Sequence, residues 1–348
     1  MQRQLDIFDD SRDVMLRNDL AQALLEAKVE TAQRIHDALQ ADFAGDRALA
    51  PAAVLIEHLR WQQGLATPGQ LDAKVLLQAR RRLADTVAAA ALAVLGAQGT
   101  PAWLDSQWCW LAQQAAGIGW HRLKADAEAD GHADGHADGH AGAHADGHAD
   151  AHADGHADTH ADRHADRRAD GHANPNADAH AASLYLRGRA WRQAADAVAG
   201  IASWRRIPVP LLWMTQARWQ LEGADAAWPL LAEALWLAPT RAAALLPALD
   251  DKHINRLAAK FDERFDLAAV ASGGWAWLPA FAVVDQPLLA APLAAATPPA
   301  DMAAGQAFAV VMALLRLERQ GRHHEIVAHR AQLRALSVPL FAAYMATR

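Results

Sequence analysis

One cysteine, Cys109, stands in 348 residues. A lone thiol excludes an intrachain disulfide and every zinc site built on paired thiolates, and it fits a reducing compartment. Aromatic phenols and phenyls are also scarce, with two Tyr and seven Phe. No stretch alternates in the two-residue period of a half-buried strand, which leaves helix as the regular structure expected. The segment Met1 to Asp10 carries Arg3, Asp6, Asp9 and Asp10 and no apolar h-region. No later run reads as long enough to span a membrane, so the expectation is a cytoplasmic chain without a membrane partner. Glycine-rich phosphate loops, a Gly-x-Ser-x-Gly elbow and a Cys-His pair are all missing, so no catalytic residue and no required cofactor are assigned. Arg80-Arg81-Arg82 and Arg205-Arg206 are short basic clusters outside any nucleic-acid reader motif, and no nucleic acid is expected as a partner. Nothing in the sequence specifies an oligomeric state.

The longest absence is internal. Between Leu123 and Leu184 there is no Leu, Ile, Val, Met, Phe, Tyr or Trp. The stretch 125–181 is instead written in a four-residue unit, seen best as Gly131-His132-Ala133-Asp134. From His132 to His180 every fourth position is His, except Arg168 and Asn176. Thirteen carboxylates against three arginines leave this tract at −10 with His neutral, so the remainder of a chain of net charge −7 carries +3. Its acidity is local. With few apolar groups to bury, ordering entropy is not offset, and a disordered linker is the expectation. The alternative is a metal arm. In a helix, His at i and i+4 share one face, which makes His132, His136, His140, His144, His148, His152, His156, His160 and His164 candidate ligands for zinc, nickel or copper. Recurrent glycines oppose that helix, at about 0.8–1 kcal/mol each relative to Ala.

What is present elsewhere is Ala, Leu, Arg, Gln and Trp, the vocabulary of an all-α protein. Three regions follow: a helical N-terminal region 1–124, the tract 125–181, and a helical C-terminal region 182–348. Asp10 or Ser11 is expected to cap a first helix reaching about Ala27, Val29 to Phe43 forms a second, and Pro51 opens a third. Leu71 to Leu95 reads as one long helix, ended by Gly96 to Pro101, and Trp103 to Ala116 as the next. After the tract come Pro208 to Arg241, a hairpin over 242–265, an apolar helix through Phe281, a proline-rich passage, and helices over 301–320, 322–336 and 337–345.

Trp108-x-x-Leu111-Ala112-x-x-Ala115 resembles the first helix of a tetratricopeptide repeat, which reads Trp-x-x-Leu-Gly-x-x-Tyr. Pro208 to Arg241 has the 34-residue length of that repeat, and its second half reads Ala227-x-x-x-Leu231-x-x-Ala234 with Pro239 closing, similar to the family's Ala-x-x-x-Phe and terminal Pro. Gly223 ends its first helix, Asp225 is expected to cap the second, and Pro229 to sit in the first turn. Ala194-x-x-x-Val198 lies 33 residues upstream, so the resemblance extends to 182–204 as well as 105–116. The Trp-x-x-Leu-Gly signature itself is missing from 208–241. The resemblance implies stacked helical hairpins, an α-solenoid, that present a groove to a protein partner. Trp213, Trp219 and Trp236 are the candidate partner-binding residues, although most of the thirteen tryptophans are expected to fill space between helices. His324-Glu325 with His329 imitates a zinc-protease helix, but the two His are five apart and face different directions.

Overall fold

A computed structural model describes residues 2–65, 71–120, 177–265 and 273–348, with side chains from Arg12 onward. Among the described residues all regular structure is helical and no strand occurs. The described residues divide into two compact units, one ending before the tract and resuming from 177 to 197, the other running from 198 to 348. The nine candidate metal ligands of the tract, His132 to His164, lie outside the described residues.

The first unit begins with α1 (Gln2–Leu25), α2 (Val29–Asp42) and α3 (Leu49–Gln63). The first helix therefore starts well before Asp10, and Pro51 sits inside the first turn of α3 rather than opening it. Each helix packs on the next. Leu20, Leu24, Leu39, Leu55 and Leu59 meet at the centre, spaced three and four apart along their helices. Next come α4 (Ala73–Arg82), capped by the Asp72 side chain accepting from the Val75 N–H at 2.8 Å, and α5 (Ala88–Ala115). Between them Leu83–Val87 forms a π turn, with Leu83 and Val87 both in the core.

The continuous run Ala73–Ala115 is, by length and composition, apolar enough to cross a membrane, with a window of mean hydropathy 1.4. That corrects the expectation that no run reaches this length. Gly96 breaks the run, however, with φ +69 and ψ 178 inside α5. The helix turns there and resumes at once, and Pro101, the fifth residue past Gly96, lies inside the second helical segment.

After the tract the described residues resume at Ala177. Ala179 and Ala181 join the first unit's core, and His180 caps α6 (Ala181–Arg187), its Nδ1 accepting from the Ala182 N–H at 3.2 Å. The last few residues of the repeat are thus part of the folded body. α6 packs on α5, and Gly188 makes the approach possible: a Cβ there would lie 2.8 Å from both Cys109 Sγ and the Asp105 carbonyl. Arg189 closes the corner through Asp105 at 2.5 and 2.9 Å. α7 (Trp191–Ala199) follows, with Ala194 and Val198 buried.

The second unit is built on the hairpin α8 (Pro208–Glu222) and α9 (Ala224–Leu237). The predicted 34-residue segment coincides with this hairpin and ends where Pro239 opens α10 (Pro239–Leu245). A single residue, Gly223, at φ +84 and ψ −179, joins α8 to α9 and is itself the N-terminal cap position. Asp225 therefore lies within the first turn instead of capping it. Pro229 lies one turn further in than expected, inside α9.

Asp251 caps α11 (Lys252–Phe265) through the His253 and Ile254 N–H groups. The remainder is α12 (Leu278–Asp285), the short α13 (Ala290–Leu293), α14 (Ala303–Gln320), α15 (His323–Leu336) and α16 (Val338–Ala346). Gly321, at φ +68, ends α14 in the left-handed conformation that glycine accepts freely. α9 packs on α8, α10, α12 and α13, and α16 returns to α11 and α12. Packing in this unit thus reaches beyond successive hairpins.

Candidate functional site

The predicted recognition residues separate in the structure. Trp219 is buried and meets Trp228 edge-on, centroids 5.9 Å apart at 63°. Trp213 is half-buried on α8. Trp236 is 3% exposed, packs edge-on against Phe308 at 5.2 Å, and lines a cleft of about 600 Å³ that neither of the others borders. None of the thirteen tryptophans is exposed, in keeping with the space-filling role expected for most of them.

The cleft runs along one face of α9. Glu233, Trp236 and Leu237 line it, and a second basin of about 330 Å³ continues over Ala226, Pro229 and Leu230. These six residues recur at three and four along α9, a single helical stripe. One wall is the 3-10 turn Trp204–Arg206, which leads into α8 after Ser203 adopts a left-handed conformation at φ +58. The other wall is the segment from Ala295 to Met302, including Thr297, Pro299 and Asp301. Gly305 seats that wall, since a Cβ there would collide with the Pro299 carbonyl. The Gln306 side chain adds a hydrogen bond to the Ala300 carbonyl at 2.7 Å.

Arg205 borders both basins. Its guanidinium forms a two-pronged pair with Glu233 at 3.0 and 3.1 Å, and Glu233 also accepts from the Thr297 N–H at 3.3 Å. One carboxylate thus ties the two walls to the floor. Arg206, exposed beside it, makes no side-chain hydrogen bond or ion pair among the described residues. Asp301, on the opposite wall, is exposed as well. The indole N–H of Trp236 is buried and finds no acceptor among the described residues. Of these residues the sequence marks only Trp236 as a candidate for binding; Arg205-Arg206 stands out there only as a basic cluster and Pro229 only as a helix-start residue. The α9 stripe was the available signal, whereas Thr297, Asp301 and Met302 arrive from sixty or more residues away through tertiary packing.

Elsewhere, His58 is 4% exposed, lies between the rings of Trp61 and Trp103, and is bonded to Gln62 at 3.2 Å. Gln62 donates to Gln107 at 2.7 Å, and Gln107 to Ser106 at 2.9 Å. Burial, with a contribution from Arg82, lowers His58 to about 4. Burial alone lowers His180 to about 4. Both imidazoles are therefore neutral at pH 7. Cys109 is half-buried, its thiol raised by burial and then by Asp105, so it is not a primed nucleophile. His323 and His324 are exposed helix residues, and His329 Nδ1 lies 2.9 Å from the Glu325 carbonyl. Among the described residues no three of His, Cys, Asp and Glu gather into a metal-binding group.

Comparison with known proteins finds no matching family, characterised protein or solved structure. Function is accordingly read from the geometry.

Proposed function

We propose that this protein is a non-enzymatic, cytoplasmic interaction scaffold or adaptor of tetratricopeptide-like type, whose second unit offers the face of α9 to a protein partner. The hairpin α8–Gly223–α9, repeat-length and closed by Pro239, carries the reading, because one helical stripe of α9 floors a groove between two walls. Trp236 is the anchor within that groove, while Trp213 and Trp219 hold the hairpin that presents it. The test is partner capture by the full chain and by Leu230→Arg, whose new charge blocks the groove. A partner retained by the first and lost by the second supports the reading. Equal retention, with both proteins equally helical, removes the groove from it.

The His/Asp tract supports a second reading, a buffering or delivery protein for zinc, nickel or copper, on the observation that eleven imidazoles recur every four residues. Calorimetric titration of zinc and nickel should compare the full chain with a deletion of residues 125–173, which spares the buried Ala177 to Ala181. Binding that disappears with the tract favours this reading, and equal binding by both proteins sinks it.

A further inference from the structure

The larger basin of the α9 groove has the make-up of a small-molecule site. Its volume, about 600 Å³, falls in the range of ligand pockets. Trp236, Leu237, Pro299 and Met302 supply apolar walls, and Arg205, locked to Glu233 and bordering the neighbouring basin, closes one side. Its charges are not equivalent. Glu233 is engaged by Arg205 and the Thr297 N–H, so among the described residues Arg206 is the cation of the basin without a side-chain partner, set across from the exposed carboxylate of Asp301. An anion entering the basin is attracted to the Arg206 wall and repelled from the Asp301 wall, which fixes its orientation. An apolar body attached to that anion then lies over Trp236.

We infer that this basin binds a small apolar carboxylic acid, its carboxylate on Arg206 and its hydrocarbon or aryl body against Trp236, Leu237, Pro299 and Met302. The site does not depend on the scaffold reading, since it needs no partner protein.

The experiment is calorimetric titration of the full chain with 4-phenylbutyrate and with 4-phenylbutan-1-ol, which keeps the apolar body and removes the charge. The same titrations use Arg206→Ala, an exposed position outside the hydrophobic core, and Arg316→Ala, an exposed arginine on α14 away from the cleft. Saturable binding of the acid is expected, weaker by about tenfold or more for the alcohol and for Arg206→Ala, as loss of a charged hydrogen bond requires. Arg316→Ala should bind like the parent. Three results overturn the inference: no saturation of the parent by about 10 mM acid, equal affinity for acid and alcohol, or equal affinity in Arg206→Ala.

Discussion

The two units place polar groups differently, and the difference decides what each fears. The first buries His58, Thr100, Gln107, Gln114, His180 and Ser183. In the second, among the described residues, Thr215 is the one buried polar residue of that kind, and its hydroxyl donates to the Leu211 carbonyl one turn back. A core holding neutral imidazoles is sensitive to protons. A core of Ala, Leu and aromatic side chains is sensitive to volume and to the few glycines that let it close.

Acid should expose this contrast most strongly. His58 and His180 titrate near 4 when folded, against about 6.5 in an unfolded chain. Between those values the unfolded state binds more protons, so stability falls as pH drops from about 6.5 and the loss is complete below about 4. Each group contributes about 3 kcal/mol to that loss. Hydrogen exchange at pH 7 and pH 4.5 should show protection lost in α3, α5 and α6 well before α8, α9 and α14. Equal loss in both units breaks the comparison.

On the packing side, Gly305→Ala should cost the second unit about 3 kcal/mol, because a Cβ there meets the Pro299 carbonyl, a backbone atom that no side-chain rotation can move aside. Thermal unfolding measures it, and unchanged stability means that the 295–302 wall is looser than drawn. Smaller is the cluster at the end of the chain. Tyr344, fully buried, donates to Glu318, which also pairs with Arg348 at 2.8 and 2.9 Å, and the Arg330 and Arg348 guanidiniums cover its ring. Burial and then Glu318 raise the phenol, keeping it a donor. Tyr344→Phe should cost about 1.5 kcal/mol, and a double-mutant cycle with Glu318→Gln should recover most of it as coupling. Smallest, and of opposite sign, is Gln114→Met in the first unit. The Gln114 side-chain oxygen is buried without a donor, so its replacement should raise the denaturation midpoint by about 1 kcal/mol of stability.

Helix placement was legible where apolar spacing and a breaker agree. Val29 to Phe43 matches α2 to within a residue, and Pro208 to Arg241 starts with α8 and overruns α9 by four residues into α10. Glycine at 223 and proline at 239 announce their own boundaries through backbone restrictions that need no partner. The misses have tertiary causes. The π turn at Leu83–Val87 inserts a residue into what reads as one continuous helix, and neither a glycine nor a proline marks it. Pro229 is tolerated inside α9 as part of the groove floor. His180 belongs by register to the repeat, yet it caps α6 because Leu184 and Leu186 follow and give the chain something to bury. The cleft was least legible: its floor is written as a stripe in α9, but its walls come from two distant segments whose meeting depends on Glu233 and Gly305.

Gly96 and Gly223 share one backbone geometry, φ near +70 to +84 with ψ near 180, and at both a Cβ would meet nothing within 4 Å. Their requirement is therefore one of handedness, not of room. Reflected, that geometry is the extended region that ordinary residues prefer. A D-alanine ligated at position 223 fits the corner without strain and restricts the unfolded chain, stabilising by about 0.4–1 kcal/mol, whereas L-alanine at the same place must distort it. The two corners are sites where the fold asks for the mirror image of an amino acid, and glycine, having no hand, answers.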